Sequence, residues 1–306
     1  MMVFEPLFAI FMILGGGYIA KKAKILKQKQ TRMFFDFAII FATPCLIFNR
    51  IYHLQIDLTL ISLIFTGFIS TSLAAFISFI IGKICGFSKA TLVSVVVLSS
   101  FGNTLFVGMP IVEGVIGTPS AIGEVIFYDA LAGALPISLF VPLILSLGSN
   151  EKFSLINSIK KIFSFPPFYG LLLGIGLKII NIPDFIFKPI IMLGDAATPV
   201  ALFAIGLSLG FGAIKSSYKQ TMVVILCKMI IAPLIFIILF KSFGFELSNS
   251  LKIAFLETTM PTATIVCAMV MKAKMDSNLA VSSVAFGLIF SIISMPFWVY
   301  IMQNLG

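Results

Sequence analysis

Two short stretches, one in each half of the chain, set helix-breaking and polar residues inside otherwise apolar sequence. The first is Ser99-Ser100-Phe101-Gly102-Asn103-Thr104-Leu105-Phe106-Val107-Gly108-Met109-Pro110, and the second is Leu256-Glu257-Thr258-Thr259-Met260-Pro261-Thr262. Pro110 and Pro261 each remove a backbone donor and obstruct the preceding turn, so each predicts an opening in a helix. Gly102 and Gly108 permit unusual torsions there, while Asn103 and Thr104 offer polar atoms. Beyond each opening a new half-helix starts, with proline in its first turn. Two such N-termini bring orphan N–H groups and partial positive charge to one point, which suits an anion without any cationic side chain. Asn103 adds an amide donor for a carboxylate, and Thr258, Thr259 and Thr262 add hydroxyls. The candidate substrate-binding residues are therefore Asn103, Thr104, Gly108, Pro110, Thr258, Thr259, Pro261 and Thr262.

Six ionisable residues also stand in apolar surroundings: Asp36, Glu124, Asp129, Asp195, Lys228 and Glu257. Each is costly in hydrocarbon, roughly 2.5–3.5 kcal/mol on insertion scales, so each is expected to face protein or water. Glu257, four residues before Pro261, is the leading ion-coupling candidate. It suits either a transported proton or a Na⁺ shared with threonine hydroxyls and freed carbonyls. Asp129 and Lys228 are further coupling candidates, or a structural pair. Asp36 and Asp195 are expected to cap or pair locally, and Glu124 to be solvated near a helix end. His53, the single histidine, has no second ligand beside it, and Cys45, Cys85, Cys227 and Cys267 lack metal or redox spacing. No metal site or cofactor is expected, apart from Na⁺ or H⁺ as coupling ion.

The elements that hold these residues are membrane helices. Hydrophobic residues make up 59% of the 306 positions, charged residues 11%, and the mean hydropathy is +1.13. So little polar surface describes an all-α polytopic membrane protein, with continuous apolar runs and not the period-two alternation of a barrel. Ten spans are expected, near 4–20, 33–50, 58–82, 90–113, 121–147, 165–181, 187–209, 220–240, 250–271 and 278–302. The first lacks a basic leader and a small-residue cleavage pattern, and reads as a span, not a signal peptide. Of 21 cations, 15 fall on one side, beginning with Lys21, Lys22, Lys24, Lys27, Lys29 and Arg32 in the first loop. The positive-inside rule then puts both termini outside the cell membrane. Basic loops beside anionic lipid account for the net charge of +9 with no nucleic-acid partner.

The longest polar connection, 149–164, divides the spans into halves 1–148 and 165–306. Ala42-Thr43-Pro44 recurs as Ala197-Thr198-Pro199, so Pro44 and Pro199 lie 155 residues apart, and Pro110 and Pro261 lie 151 apart. Five spans per half force the second to insert upside down. This is an inverted-topology repeat, an architecture of secondary transporters with a midplane site.

The run Asn103-Thr104-Leu105-Phe106-Val107-Gly108-Met109-Pro110-Ile111 resembles the fourth-span signature of the auxin efflux carrier family. Thr198-Pro199-Val200-Ala201-Leu202-Phe203-Ala204-Ile205-Gly206 resembles its seventh span, and Met260-Pro261 its ninth. The family includes plant auxin exporters and bacterial malate and malonate permeases, and the short central loop is more similar to the bacterial branch. The resemblance implies a carrier of small organic anions such as dicarboxylates or auxin-like carboxylates. It further implies scaffold helices 1, 2, 6 and 7, a moving transport domain of helices 3–5 and 8–10, and helices 4 and 9 that unwind and cross at their prolines. Bile-acid symporters and sodium–proton antiporters are similar in architecture, and dimerisation through the scaffold is a family expectation. Glu257-Thr258-Thr259 is similar to an acidic run of bile-acid sodium symporters. Auxin exporters are thought to need no cation gradient, so Na⁺, H⁺ and uncoupled transport all stay open.

Two alternatives come from other classes. Tyr128-Asp129 and Gly194-Asp195 resemble the paired motifs of an intramembrane aspartyl protease, but Met192 stands where that pattern has its first glycine and no Pro-Ala-Leu follows. An anion channel is the other, although no filter-like sequence is visible. Substrate identity and transport direction stay open.

Overall fold

A computed structural model describes residues 3–148, 153–212 and 217–305. The described residues are helical, with no strand among them. Among the described residues, seven helices are long and apolar enough to cross a membrane: α1 (Phe4–Lys22), α2 (Gln28–His53), α3 (Leu58–Ile84), α6 (Ala121–Gly148), α9 (Asp184–Ser208), α10 (Tyr218–Phe243) and α13 (Ser277–Gln303). The three other intervals expected to span hold shorter pieces. One contains α4 (Lys89–Ser100) and α5 (Thr104–Ile116), and another contains α11 (Asn249–Thr259) and α12 (Thr264–Lys272). The third holds α8 (Pro166–Ile179), bent by 65° from a preceding helix α7 (Leu155–Phe163). The connection 149–164 is thus largely helical from Leu155 on, and its residues 149–152, with Lys215 further along, lie outside the described residues.

Side-chain caps start several helices where the sequence turns polar. Asp57 accepts from Leu60 N at 2.7 Å to open α3, and Ser248 accepts from Leu251 N at 3.1 Å to open α11. Asp276 caps α13 through Leu279 N at 3.0 Å while accepting from Thr91 Oγ1 at 2.9 Å, which ties the starts of α13 and α4 together.

Among the described residues, four π-turns interrupt the helices, at Ala38–Ala42, Thr104–Gly108, Asp129–Ala134 and Cys227–Ile231. Each ends two residues before a proline: Pro44, Pro110, Pro136 and Pro233. The reason is local. Proline has no N–H to give and its ring presses on the carbonyl four residues back, and a widened turn relieves both.

Glycines allow the closest helix contacts. Gly17 of α1 lies against the Phe203 carbonyl of α9, and Gly206 of α9 against the Leu14 carbonyl of α1. Gly170 and Gly174 of α8 meet Pro44 and Ile51 of α2, where an added Cβ would stand 2.5 Å from the Pro44 carbonyl oxygen and 2.9 Å from Ile51 Cβ. Gly15 of α1, by contrast, has no neighbour within 4 Å of such a Cβ. A second group of contacts joins α3 to α4, α10 and α11, and α13 to α10 and α12.

Candidate functional site

The interruptions after α4 and α11 meet. Asn103 N donates to the Pro261 carbonyl at 2.7 Å and Ala263 N donates to the Phe101 carbonyl at 2.9 Å, forming one antiparallel rung between Gly102 and Thr262. Backbone released from two helices is thereby satisfied without water, as hydrocarbon surroundings require. The twelve residues of α4 and eleven of α11 rise about 18 and 16 Å, roughly half a bilayer. Two helix C-termini and two N-termini converge on the crossing.

Pro261 stands in the second interruption, as expected. Pro110 does not stand in the first: it lies inside α5, behind the π-turn at Thr104–Gly108, and the chain opens instead at Phe101-Gly102-Asn103. The two Met-Pro pairs are thus alike in sequence and different in structure. Gly102 suits the opening because a Cβ there would stand 3.2 Å from Lys228 Cε and Nζ and from Met260 Cβ.

Asn103 is buried and caps α5, its side chain accepting from Phe106 N at 3.4 Å. Its amide nitrogen donates to Thr264 Oγ1 at 3.4 Å, a long bond. Thr264 opens α12, whose first turn has no side-chain cap. Sequence reasoning missed Thr264, although its place just after the break was a usable signal. Thr104 Oγ1 hydrogen-bonds Asp129, which sits in the π-turn of α6 with Gly133 alongside. The three threonine hydroxyls expected to meet substrate are engaged within the protein. Thr258 donates to the Phe255 carbonyl and Thr259 to the Leu256 carbonyl, both at 2.6 Å, and Thr262 donates to the Leu98 carbonyl at 3.1 Å.

Lys228 is fully buried in the π-turn of α10, and its ammonium donates to the Thr258 carbonyl at 2.7 Å. It lies at the C-terminus of α11, where a cation meets the negative end of the helix dipole. Lys228 and Asp129 make no ion pair with each other; each binds a different half-helix. Glu257 is 1% exposed and neither carboxylate oxygen has a hydrogen-bond partner among the described residues. Its carboxylate lies against Gly108, where an added Cβ would stand 2.5 Å from Glu257 Oε2. The crossing thus joins Asn103, Thr104, Gly108, Asp129, Lys228, Glu257 and Thr264 from five helices.

The remaining ionisable residues lie elsewhere. Asp36 pairs locally with Arg32 at 3.5 Å on an exposed face. Glu124 is buried, contrary to the expectation of solvation, and accepts from Ser120 Oγ at 2.9 Å. Asp195 is exposed on α9 while Asp129 is bonded to Thr104, so no hydrogen bond gives these two carboxylates the shared proton an aspartyl protease needs.

Comparison with known proteins covers nearly the whole chain. The family model described as "Membrane transport protein" matches residues 2–299. The chain belongs to this family, that of the auxin efflux carriers. It is 26% identical over 304 residues to an uncharacterized transporter of Methanothermobacter thermautotrophicus, covering 96% of each chain. It is 25% identical over 322 residues to an uncharacterized transporter of Methanocaldococcus jannaschii, covering 99% of this chain and all of that protein. The chain is a multi-pass membrane transporter, and no name among these relatives specifies a substrate.

Proposed function

We propose that this transporter is a secondary carrier of small organic anions, alternating access around the crossing of α4/α5 with α11/α12. In this reading the helices form ten spans in two inverted halves, with α4/α5 and α11/α12 as the fourth and ninth. Helices α1, α2, α8 and α9 are the scaffold, and α3–α6 with α10–α13 the moving domain. The close packing of α1 on α9 and of α2 on α8 supports that division. The lysine-rich loops face the cytoplasm, both termini lie outside the plasma membrane, and a homodimer forms through the scaffold.

One observation carries the reading. The interrupted helices pair at Gly102 and Thr262, and this leaves the Asn103 amide and the Thr264 hydroxyl together where two half-helix N-termini adjoin. A carboxylate arriving there replaces a long Asn103–Thr264 bond with charge-assisted ones, which are roughly twice as strong as neutral bonds. Glu257 carries the coupling role, as a proton carrier or a Na⁺ ligand, because a buried carboxylate with neither oxygen bonded calls for a cation.

Uptake of labelled malate, malonate and an indole carboxylate into proteoliposomes tests this, under an imposed Na⁺ or pH gradient. Saturable uptake of one carboxylate, driven by one gradient and lost in Glu257→Gln, is expected. Uptake driven by neither gradient and undiminished in the variant removes Glu257 from coupling. Absence of uptake for any carboxylate overturns the substrate class, and non-saturable flux identifies a channel.

A further inference from the structure

Helix α7 does not belong to the bundle in the way the other helices do. Its sequence is Leu-Ile-Asn-Ser-Ile-Lys-Lys-Ile-Phe, it is opened by Ser154, which accepts from Asn157 N at 3.3 Å, and it turns by 65° into α8. At about 100° per residue its nine positions divide into three arcs. Ser158 and Ile162 are buried against the bundle, where α7 packs on α6 and α8. Leu155, Ile156, Ile159 and Phe163 form the second arc, and they are 54%, 66%, 40% and 55% exposed. Asn157, Lys160 and Lys161 form the third, also exposed and roughly opposite the apolar arc.

Neither water nor hydrocarbon alone suits such a helix. Four large apolar side chains on nine residues are unfavourable in water, and two adjacent lysines are unfavourable in the bilayer core. The boundary between the two satisfies both arcs at once. The bend keeps the helix there. Ser164-Phe165 separates α7 from α8, which opens on Pro166-Pro167, the Tyr169 hydroxyl of α8 donates back to the Phe163 carbonyl at 2.5 Å, and Phe163 meets Phe168 edge-on at 5.4 Å between ring centres. Tyr169 is itself half exposed, as tyrosines of a membrane's interfacial belt are.

We propose that α7 is an in-plane membrane anchor whose Lys160 and Lys161 bind the phosphates of anionic phospholipids while Leu155, Ile156, Ile159 and Phe163 enter the acyl region. The anchor acts on a particular part of the fold. It continues into α8, whose Gly170 and Gly174 seat Pro44 and Ile51 of α2, so α7 sets the depth of the α2–α8 pair in the bilayer. This rests on the chain's being a membrane protein and is independent of what it carries.

Two measurements on the full chain in lipid test the anchor. Spin labels at Ile156→Cys, Ile159→Cys and Lys161→Cys, with Cys45 and Cys85 changed to Ser, report accessibility to dissolved oxygen and to a water-soluble nickel complex. Positions 156 and 159 should be reached by oxygen and shielded from nickel, and position 161 should show the reverse. Nickel access at 156 and 159 places the helix in water, and shielding of both from either probe means that a second copy of the chain covers it; each result overturns the anchor. The second measurement titrates protein in phosphatidylcholine nanodiscs with phosphatidylglycerol, following thermal unfolding. Wild type should be stabilised, and Lys160→Gln with Lys161→Gln should weaken the apparent lipid affinity roughly 30-fold, about five-fold per lysine. An unchanged affinity in the double variant, or no response in wild type, overturns the headgroup assignment.

Discussion

The two interruptions at the crossing look like copies of one another and are built differently. In the first, a side chain does the capping: Asn103 accepts from Phe106 N, and Thr262 reaches across from the other segment to the Leu98 carbonyl. In the second, Pro261 occupies the gap, α12 begins with no side-chain cap, and a buried lysine covers the Thr258 carbonyl at the end of α11. Each half-helix end therefore finds its partner by different chemistry. The first segment is capped by a neutral amide and meets the Asp129 carboxyl through Thr104, whereas the second is met at its backbone by the Lys228 ammonium, so a shared backbone rung serves two unlike sides.

Removing the charge should have the largest effect. Lys228→Met leaves the Thr258 carbonyl without a donor in a dry place, and losing a hydrogen bond to a charged group costs about 1.5–3 kcal/mol. Thermal unfolding in detergent should shift down by that amount. Lys228→Arg should not rescue it, because Gly102 is already 3.2 Å away for an added Cβ and leaves no room for a planar fork. A Met variant as stable as wild type would make the two segments equivalent after all.

The next change acts on the neutral side and separates stability from binding. Asn103→Ala removes a cap worth about 1 kcal/mol, which unfolding should report. Carboxylate affinity, read by equilibrium binding to the folded variant, should fall further, by roughly 1.5–3 kcal/mol for one bond to a charged group. Equal losses in the two measurements would leave Asn103 as a cap and nothing more.

The smallest effect should come from making the segments more alike. Ala263 holds extended torsions at the N-cap of α12, φ −64° and ψ 128°, as a capping residue does. Ala263→Ser should add a cap and raise stability by about 0.5–1 kcal/mol. If unfolding shows a loss instead, the bare N-terminus of α12 is reserved by packing or by ligand.

The apolar runs make the helices legible, because hydrophobic length is a property of contiguous residues. Asp57, Ser88, Ser248 and Asp276 mark helix starts in the same local way. The site was legible in part. Gly102, Asn103 and Glu257 stand out as glycine, amide and carboxylate in apolar surroundings, and all three lie at the crossing. Thr258 and Thr259 turn their hydroxyls back onto their own helix, a choice that residue type does not announce.

Sequence by itself determined that this chain is a helical membrane transporter, that two stretches are built to interrupt helices, and that buried charge accompanies them. Only the tertiary structure decided where the first helix opens. Pro110 and Pro261 present the same missing N–H, but a π-turn absorbs the defect at Pro110, while Pro261 stays open because Asn103 N reaches its carbonyl. The backbone groups freed beside Gly102 and Thr262 are satisfied in apolar surroundings by each other. Asn103 and Thr264 are 161 residues apart along the chain, so no local pattern could assign the pairing that makes the site.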